Sequence, residues 1–299
     1  SRNAGDLRSD RRRGRETRAE RIGFTLVELL TVIVIIGILV SLITAAAWRA
    51  RVTARTAVIV AEISDLSMAL EAYAAEVGEL PPDFTDQQRV LTHLRKRFPR
   101  YRLPAGDLAT QWAKFKTDVS NGTGGLDVDQ LDPSTALVFW LAGIPDPNTG
   151  LPNGFSANVY QPFQQGGSRT KQYIEFDPRR LPAGADQWRR YCPQYCRGAP
   201  PYDSGVPYVY FRARINGYTG LRWPTTEGVV GTAVPYWDAN GPTSGTWREA
   251  KKFQIIAAGN DGIFGTGTGA RYSESGVGCS EADYDNVTNF SQGTLQEKM

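Results

Sequence analysis

The 299-residue sequence holds one histidine, His93, along with three cysteines and two methionines. A lone histidine leaves little for acid–base catalysis, and no G-x-S-x-G nucleophile turn occurs, so enzyme activity is not expected. The odd cysteine count allows at most one disulfide within the chain. Cys192 and Cys196, in "YCPQYC", are the candidate pair, with unpaired thiols as the alternative. A zinc site lacks support: His93 is distant from these cysteines and there is no second closely spaced pair. Proline is missing from residues 24–80, and charge is nearly missing from residues 24–48, where Glu28 stands alone.

The positive charge is confined. Residues 1–22 hold eight arginines against four acidic residues, although the whole chain is only +3. The remainder is close to neutral, so a nucleic-acid partner is not expected. The chain does not open on Met, so its natural N-terminus is expected upstream of Ser1.

From Phe24 to Ala47 the chain is apolar apart from Thr25, Glu28, Thr31, Ser41 and Thr44. As a helix this stretch is about 36 Å long, enough to cross a bilayer with some tilt. Arginines on its N-terminal side place that end in the cytoplasm and the rest of the chain outside it. A secretory signal peptide, cut near Ala45-Ala46-Ala47, would have a shorter apolar region. A plain signal anchor leaves Glu28 unexplained, since a charge at membrane depth costs about 2.5–3.5 kcal/mol.

The stretch "RIGFTLVELL" resembles the processing site of type IV prepilins and type II secretion pseudopilins. The resemblance implies a basic leader over residues 1–23, cut by a prepilin peptidase between Gly23 and Phe24, with Phe24 then N-methylated. It implies that Glu28 is the family's assembly glutamate. Further implied partners are other pilin or pseudopilin subunits, an inner-membrane assembly platform and the lipid bilayer. Cleavage would create an ammonium at Phe24, and a neighbour's Glu28 could meet it in a packed bundle. Each charge offsets the burial cost of the other, and the pairing fixes a vertical register.

Beyond Trp48, Val52, Ile59, Ile63, Leu66, Leu70, Tyr73 and Val77 recur at helical spacing. Gly78 and Pro81-Pro82 supply the stop. One helix over 24–80 is predicted, with a membrane segment at 24–47 and an amphipathic second half that needs a globular domain over its stripe. Residues 81–299 are expected to form that extracytoplasmic domain. The fold class is α+β: a long helix packed on a small antiparallel sheet with long loops, as in pilins.

In the globular part, Val90, Leu91, Leu94 and Phe98 predict one short helix. "DPSTALVFWLAGIPD" predicts another, buried and capped by Asp132 with Pro133 at its first position. The basic run Arg95-Lys96-Arg97 reads as a solvated face. Strands are expected in "QYIEF", "VPYVYFRAR" and "KKFQIIAAG". The many loop Tyr and Trp residues either fill a core or contact a ligand. "GTGTGA" at 265–270 has no helical pattern after it and fails as a phosphate cradle.

The C-terminal stretch resembles that of pseudopilin-like proteins. In the major pseudopilin a comparable loop holds calcium, which points to Asp261, Asp283, Asp285 and Asn286 as oxygen ligands. Their spacing here is longer than in that subunit, and plain turn chemistry is the competing account. The functional expectation is a structural filament subunit of the bacterial inner membrane, single-pass, with its C-terminal domain in the periplasm or at the surface. The alternative is a filament-tip or membrane-anchored adhesin or cargo receptor.

Overall fold

The computed structural model describes residues 25–195, 205–215, 217–228, 230–238, 247–266 and 279–295. The chain divides into two compact units, Ser1–Ala50 and Arg51–Met299. Helix α1, Leu26–Val77, contributes to both.

In the first unit every large apolar side chain from Leu26 to Ile43 is exposed. The hydroxyls of Thr31, Ser41 and Thr44 donate to the carbonyls of Val27, Ile38 and Val40 at 2.7–2.9 Å. These three groups are therefore satisfied within the helix, as an apolar surrounding requires.

In the second unit the α1 stripe is buried: Thr56, Ile59, Ile63, Leu66, Ala69, Leu70 and Tyr73. Among the described residues three further helices share its core. Helix α2, Gln87–Arg97, is capped by Asp86, which accepts from Arg89 N at 3.2 Å. Helix α3, Leu108–Thr123, buries Trp112, Phe115 and Val119, spaced by 3 and 4 on one face. Its cap is Asp107, and it ends at Gly124 in the left-handed region, φ 78°, where glycine carries no Cβ penalty. Helix α4, Ala136–Ala142, is buried on every side. It starts at Ala136 rather than Pro133, because Asp132 Oδ1 accepts from the backbone of Ser134 and Thr135 and closes a turn first.

Among the described residues five strands follow: β1 Val209–Arg212, β2 Trp223–Gly228, β3 Gly231–Ala233, β4 Phe253–Ala257 and β5 Val287–Thr288. Strands β1, β4 and β5 form one antiparallel sheet with β4 in the centre; β2 and β3 form a separate antiparallel pair. Register is set by Tyr210 opposite Ile255 and Ile256 opposite Thr288. Alternate residues of a strand face opposite ways, and here both faces are covered. Tyr208, Tyr210, Phe253 and Ile255 join the core beneath α1. Val209, Phe211 and Ile256 join a second core with Tyr218, Trp223, Tyr236 and Phe264. The outer edge of β1 is also occupied: the N–H groups of Tyr208, Tyr210 and Arg212 donate to Tyr191 O, Pro133 O and Asp83 Oδ2 at 2.9–3.0 Å.

The structure corrects the strand expected at "QYIEF". The N–H of Tyr173 donates to Leu141 O at 2.8 Å and the Gln172 amide to Ala142 O at 3.2 Å, so the segment closes the end of α4 instead of pairing in a sheet. The basic run of α2 is engaged, not simply solvated: Lys96 pairs with Glu79 and Arg97 with Glu76.

Two polar clusters tie α1 to the domain. Glu62 takes a forked pair of hydrogen bonds from Arg180, at 2.6 and 2.5 Å, and a third from the Tyr208 hydroxyl. Arg180 also donates to Cys192 O and lies over the Tyr191 ring. At the end of α1, buried His93 bridges Tyr73 and Glu79 at 2.7 Å on each side. Burial pushes the imidazole down to about 4, so the neutral ring accepts from Tyr73 at Nε2 and donates to Glu79 from Nδ1. Burial alone would raise the Glu79 carboxyl, but hydrogen bonds from Lys96 and His93, aided by Arg212, hold it at about 2. The single histidine is thus a core fastener.

Candidate functional site

The N-terminal end of α1 is built from four residues, Thr25-Leu26-Val27-Glu28. Thr25 precedes the first helical residue and its hydroxyl accepts from Glu28 N at 3.2 Å. Glu28 reaches back: its Oε2 accepts from Thr25 N at 2.9 Å and from the Thr25 hydroxyl at 2.7 Å. This is a capping box, in which two backbone donors orphaned by the helix start are satisfied reciprocally. A carboxylate in the first turn also faces the positive end of the helix dipole. Glu28 therefore has a partner within its own chain, which the T-x-x-E spacing could have announced. Gly23 and Phe24 lie outside the described residues.

Trp48, largely exposed, closes the apolar segment, and Arg49 and Arg51 follow. An amphipathic ring and then cations are the residues found where a span leaves the hydrocarbon for the headgroups. This is the one helix among the described residues that is long and apolar enough to cross a membrane.

The four residues expected to bind calcium are not gathered into one site. The Asp283 carboxylate is committed elsewhere. Its Oδ1 accepts from the Tyr236 hydroxyl at 2.8 Å and from Asn286 Nδ2 at 3.3 Å. Its Oδ2 accepts from Ser280 N and Oγ at 2.9 and 2.6 Å. Asp261 and Asp285 do meet, through Asp261 N donating to Asp285 Oδ2 at 3.1 Å. Gly259 allows this approach, since a Cβ there would lie 2.3 Å from the Asp285 carboxyl carbon. Burial, then the charge of Asp261, pushes Asp285 up to about 6; burial also raises Asp261. Three buried oxygens in or next to this pair in sequence have no hydrogen-bond partner among the described residues: Asn260 Oδ1, Asp285 Oδ1 and Asn286 Oδ1. No group of three or more His, Cys, Asp or Glu among the described residues is placed to hold a metal ion.

Cys192 is buried, with Sγ 3.2 Å from Gly205 O; Cys196 lies outside the described residues. Most of the described aromatic side chains fill the interior: Trp112, Trp140, Trp188, Trp223 and Trp237 are buried, and so are Tyr208, Tyr210, Tyr218 and Tyr236, whereas Tyr160 and Tyr195 are exposed. The buried rings serve the core and offer no platform for a ligand.

The geometry fits a membrane-anchored class: one exposed apolar helix, capped by Thr25 and Glu28, that continues into a folded domain. Within that class, residues 20–44 match the family described as the prokaryotic N-terminal methylation motif. The chain therefore carries the processing motif of type IV pilin-like proteins, and the motif implies a prepilin peptidase. No curated protein and no solved structure matches the chain.

Proposed function

We propose that the protein is a structural subunit of a type IV pilus-like or type II secretion pseudopilus filament, not an enzyme. It enters the inner membrane with its arginine-rich end in the cytoplasm, is cut after Gly23, and is methylated at Phe24. Its domain then lies in the periplasm, or at the surface after assembly. The observation that carries this reading is the methylation motif at residues 20–44 laid over a helix whose large apolar residues, Leu26 to Ile43, are all exposed. A domain with its own core has no use for such a segment except in a bilayer or a bundle of like helices.

In the assembled bundle, Glu28 exchanges or shares its Thr25 contacts with the new ammonium of a neighbour. The ammonium is charged at neutral pH, and the two buried charges offset each other's desolvation. Mass spectrometry of the N-terminal peptide from native membranes tests processing. A peptide beginning at N-methylated Phe24 is expected; a peptide retaining the arginine leader overturns the reading.

Calcium is the second element of the proposal. Asp285 and Asp261, with the oxygens of Asn260 and Asn286, are the residues that would hold it; Asp283 is spent on Tyr236 and Ser280. Bound calcium would supply positive charge to a carboxylate pair that burial disfavours. Added calcium is expected to raise the melting temperature of the full chain and Asp285→Ala to abolish that rise. An unchanged melting temperature removes calcium from the account.

A further inference from the structure

Two surfaces of the Arg51–Met299 unit are unlike the rest. One is an open groove of about 460 Å³ beside α1. Its floor is apolar, with Leu66, Ala69 and Ile174, and Met68 stands largely exposed at its side. Its walls are acidic. Glu62 is already paired with Arg180, but Asp65 and Glu175 are exposed and have no ion pair among the described residues.

The other surface is the tight turn after β1. Arg214 N donates to Gly217 O at 2.7 Å and Gly217 N to Arg214 O at 3.0 Å, which closes the turn. Ile215, at its corner, is fully exposed. Arg214 and Arg89 flank it, and neither has an ion pair among the described residues. Arg214 donates to the Thr85 hydroxyl at 2.8 Å and Arg89 to Ala213 O at 3.0 Å. Asp86, the nearest acid in sequence to Arg89, is used as the cap of α2. An isoleucine exposed at the corner of this turn and flanked by two cations leaves apolar area in water.

Resting on the filament reading, we propose that the Ile215 turn of one copy docks in the Asp65–Glu175 groove of the next copy. The isoleucine covers Met68 and the apolar floor, and Arg214 and Arg89 meet the two unpaired carboxylates. The surfaces are complementary in charge and different from each other, so the contact is heterologous. Such a contact leaves a free turn at one end and a free groove at the other, and propagates instead of closing into a dimer. It places the domains in a fixed order along the filament, adding a contact between domains to the register set by the helices' charge pair.

The test is a cysteine cross-link in the full chain in native membranes, carrying Cys196→Ser and Cys279→Ser. Met68→Cys together with Ile215→Cys is expected to give, on oxidation, a ladder of multimers that neither substitution gives alone. Arg214→Glu should reduce the ladder at least tenfold without lowering the melting temperature, and adding Asp65→Arg should restore it. Sedimentable polymer without a ladder overturns this contact while leaving the filament reading intact. A dimer band alone overturns propagation. Loss of polymer in the parent chain itself removes the filament reading and this contact with it.

Discussion

From Leu26 to Ile43 the large apolar side chains of α1 are all exposed, whereas from Ile59 to Tyr73 its apolar stripe is buried. Both stretches belong to one helix and use the same residue types. They differ in arrangement. The first is apolar on every side; the second confines its apolar residues to a stripe and carries Glu62, Asp65, Glu71 and Glu76 elsewhere. A stripe can be satisfied by the chain's own domain, but an all-round apolar surface needs a solvent or neighbours that are apolar on all sides. The same side chains thus stabilise the fold in one half and depend on the surroundings in the other.

Truncation in each half is the sharpest way to break this contrast. Leu66→Ala should cost the domain about 3 kcal/mol, because it removes buried contacts and leaves a cavity. Leu39→Ala should leave domain melting unchanged in detergent-solubilised full chain. Equal losses would mean that the first half also supports the domain.

Acid should act on the second half through His93. The unfolded imidazole takes a proton near 6.5, the folded one only at about 4. The unfolded state therefore binds more protons between those values, and stability falls as pH drops from about 6.5 towards 4, by about 3 kcal/mol. Glu79 adds a second loss, beginning near 4.5 and complete only at about 2. His93→Gln should flatten the first limb of a pH series of melting temperatures and weaken the second, which Lys96 and Arg212 still support.

Asp285 should show the opposite sign. Its folded pKa of about 6 lies above the ordinary value, so the folded state binds the extra proton and stability falls as pH rises through 4–6. In calcium-free buffer, Asp285→Asn should raise stability at pH 7 by about 1 kcal/mol, after allowance for partial exposure, with no gain below pH 4. A loss at pH 7 would contradict the buried-charge account.

The smallest effects belong to the cap. Thr25→Ala should lower helicity at the N-terminus by about 1 kcal/mol of local stability, read by amide exchange. Glu28→Gln preserves a capping side chain and removes the charge, so it should leave exchange nearly unchanged and reduce filament yield. If the two variants reduce yield equally, the cap rather than the charge pair directs assembly.

Much of α1 was legible because period and composition agree. The predicted stripe positions Ile59, Ile63, Leu66, Leu70 and Tyr73 are buried as read, and Val90, Leu91 and Leu94 likewise mark the inner face of α2. The expected β1 and β4 lie within "VPYVYFRAR" and "KKFQIIAAG". Helix α3 was missed although Asp107, the Trp112–Phe115–Val119 spacing and Gly124 carried the signal. "QYIEF" misled because its alternation says nothing of where its N–H groups go, and that of Tyr173 goes to the end of α4. The role of Asp283 was illegible for a different reason: its partner Tyr236 is 47 residues away. For Glu28 the sequence held two accounts at once, a capping box and an assembly charge, and the fold adds the first without removing the second.

The occupied outer rim of β1 has a bearing on how copies can join. Tyr208, Tyr210 and Arg212 have no amide to offer an incoming strand, and β5, on the other flank, is two residues long. Strand addition, the commonest route by which sheets recruit foreign backbone, is closed at β1. A protein that polymerises must avoid doing so in the wrong way, and these plugged amides leave recognition to side chains, whose identity a neighbour can read.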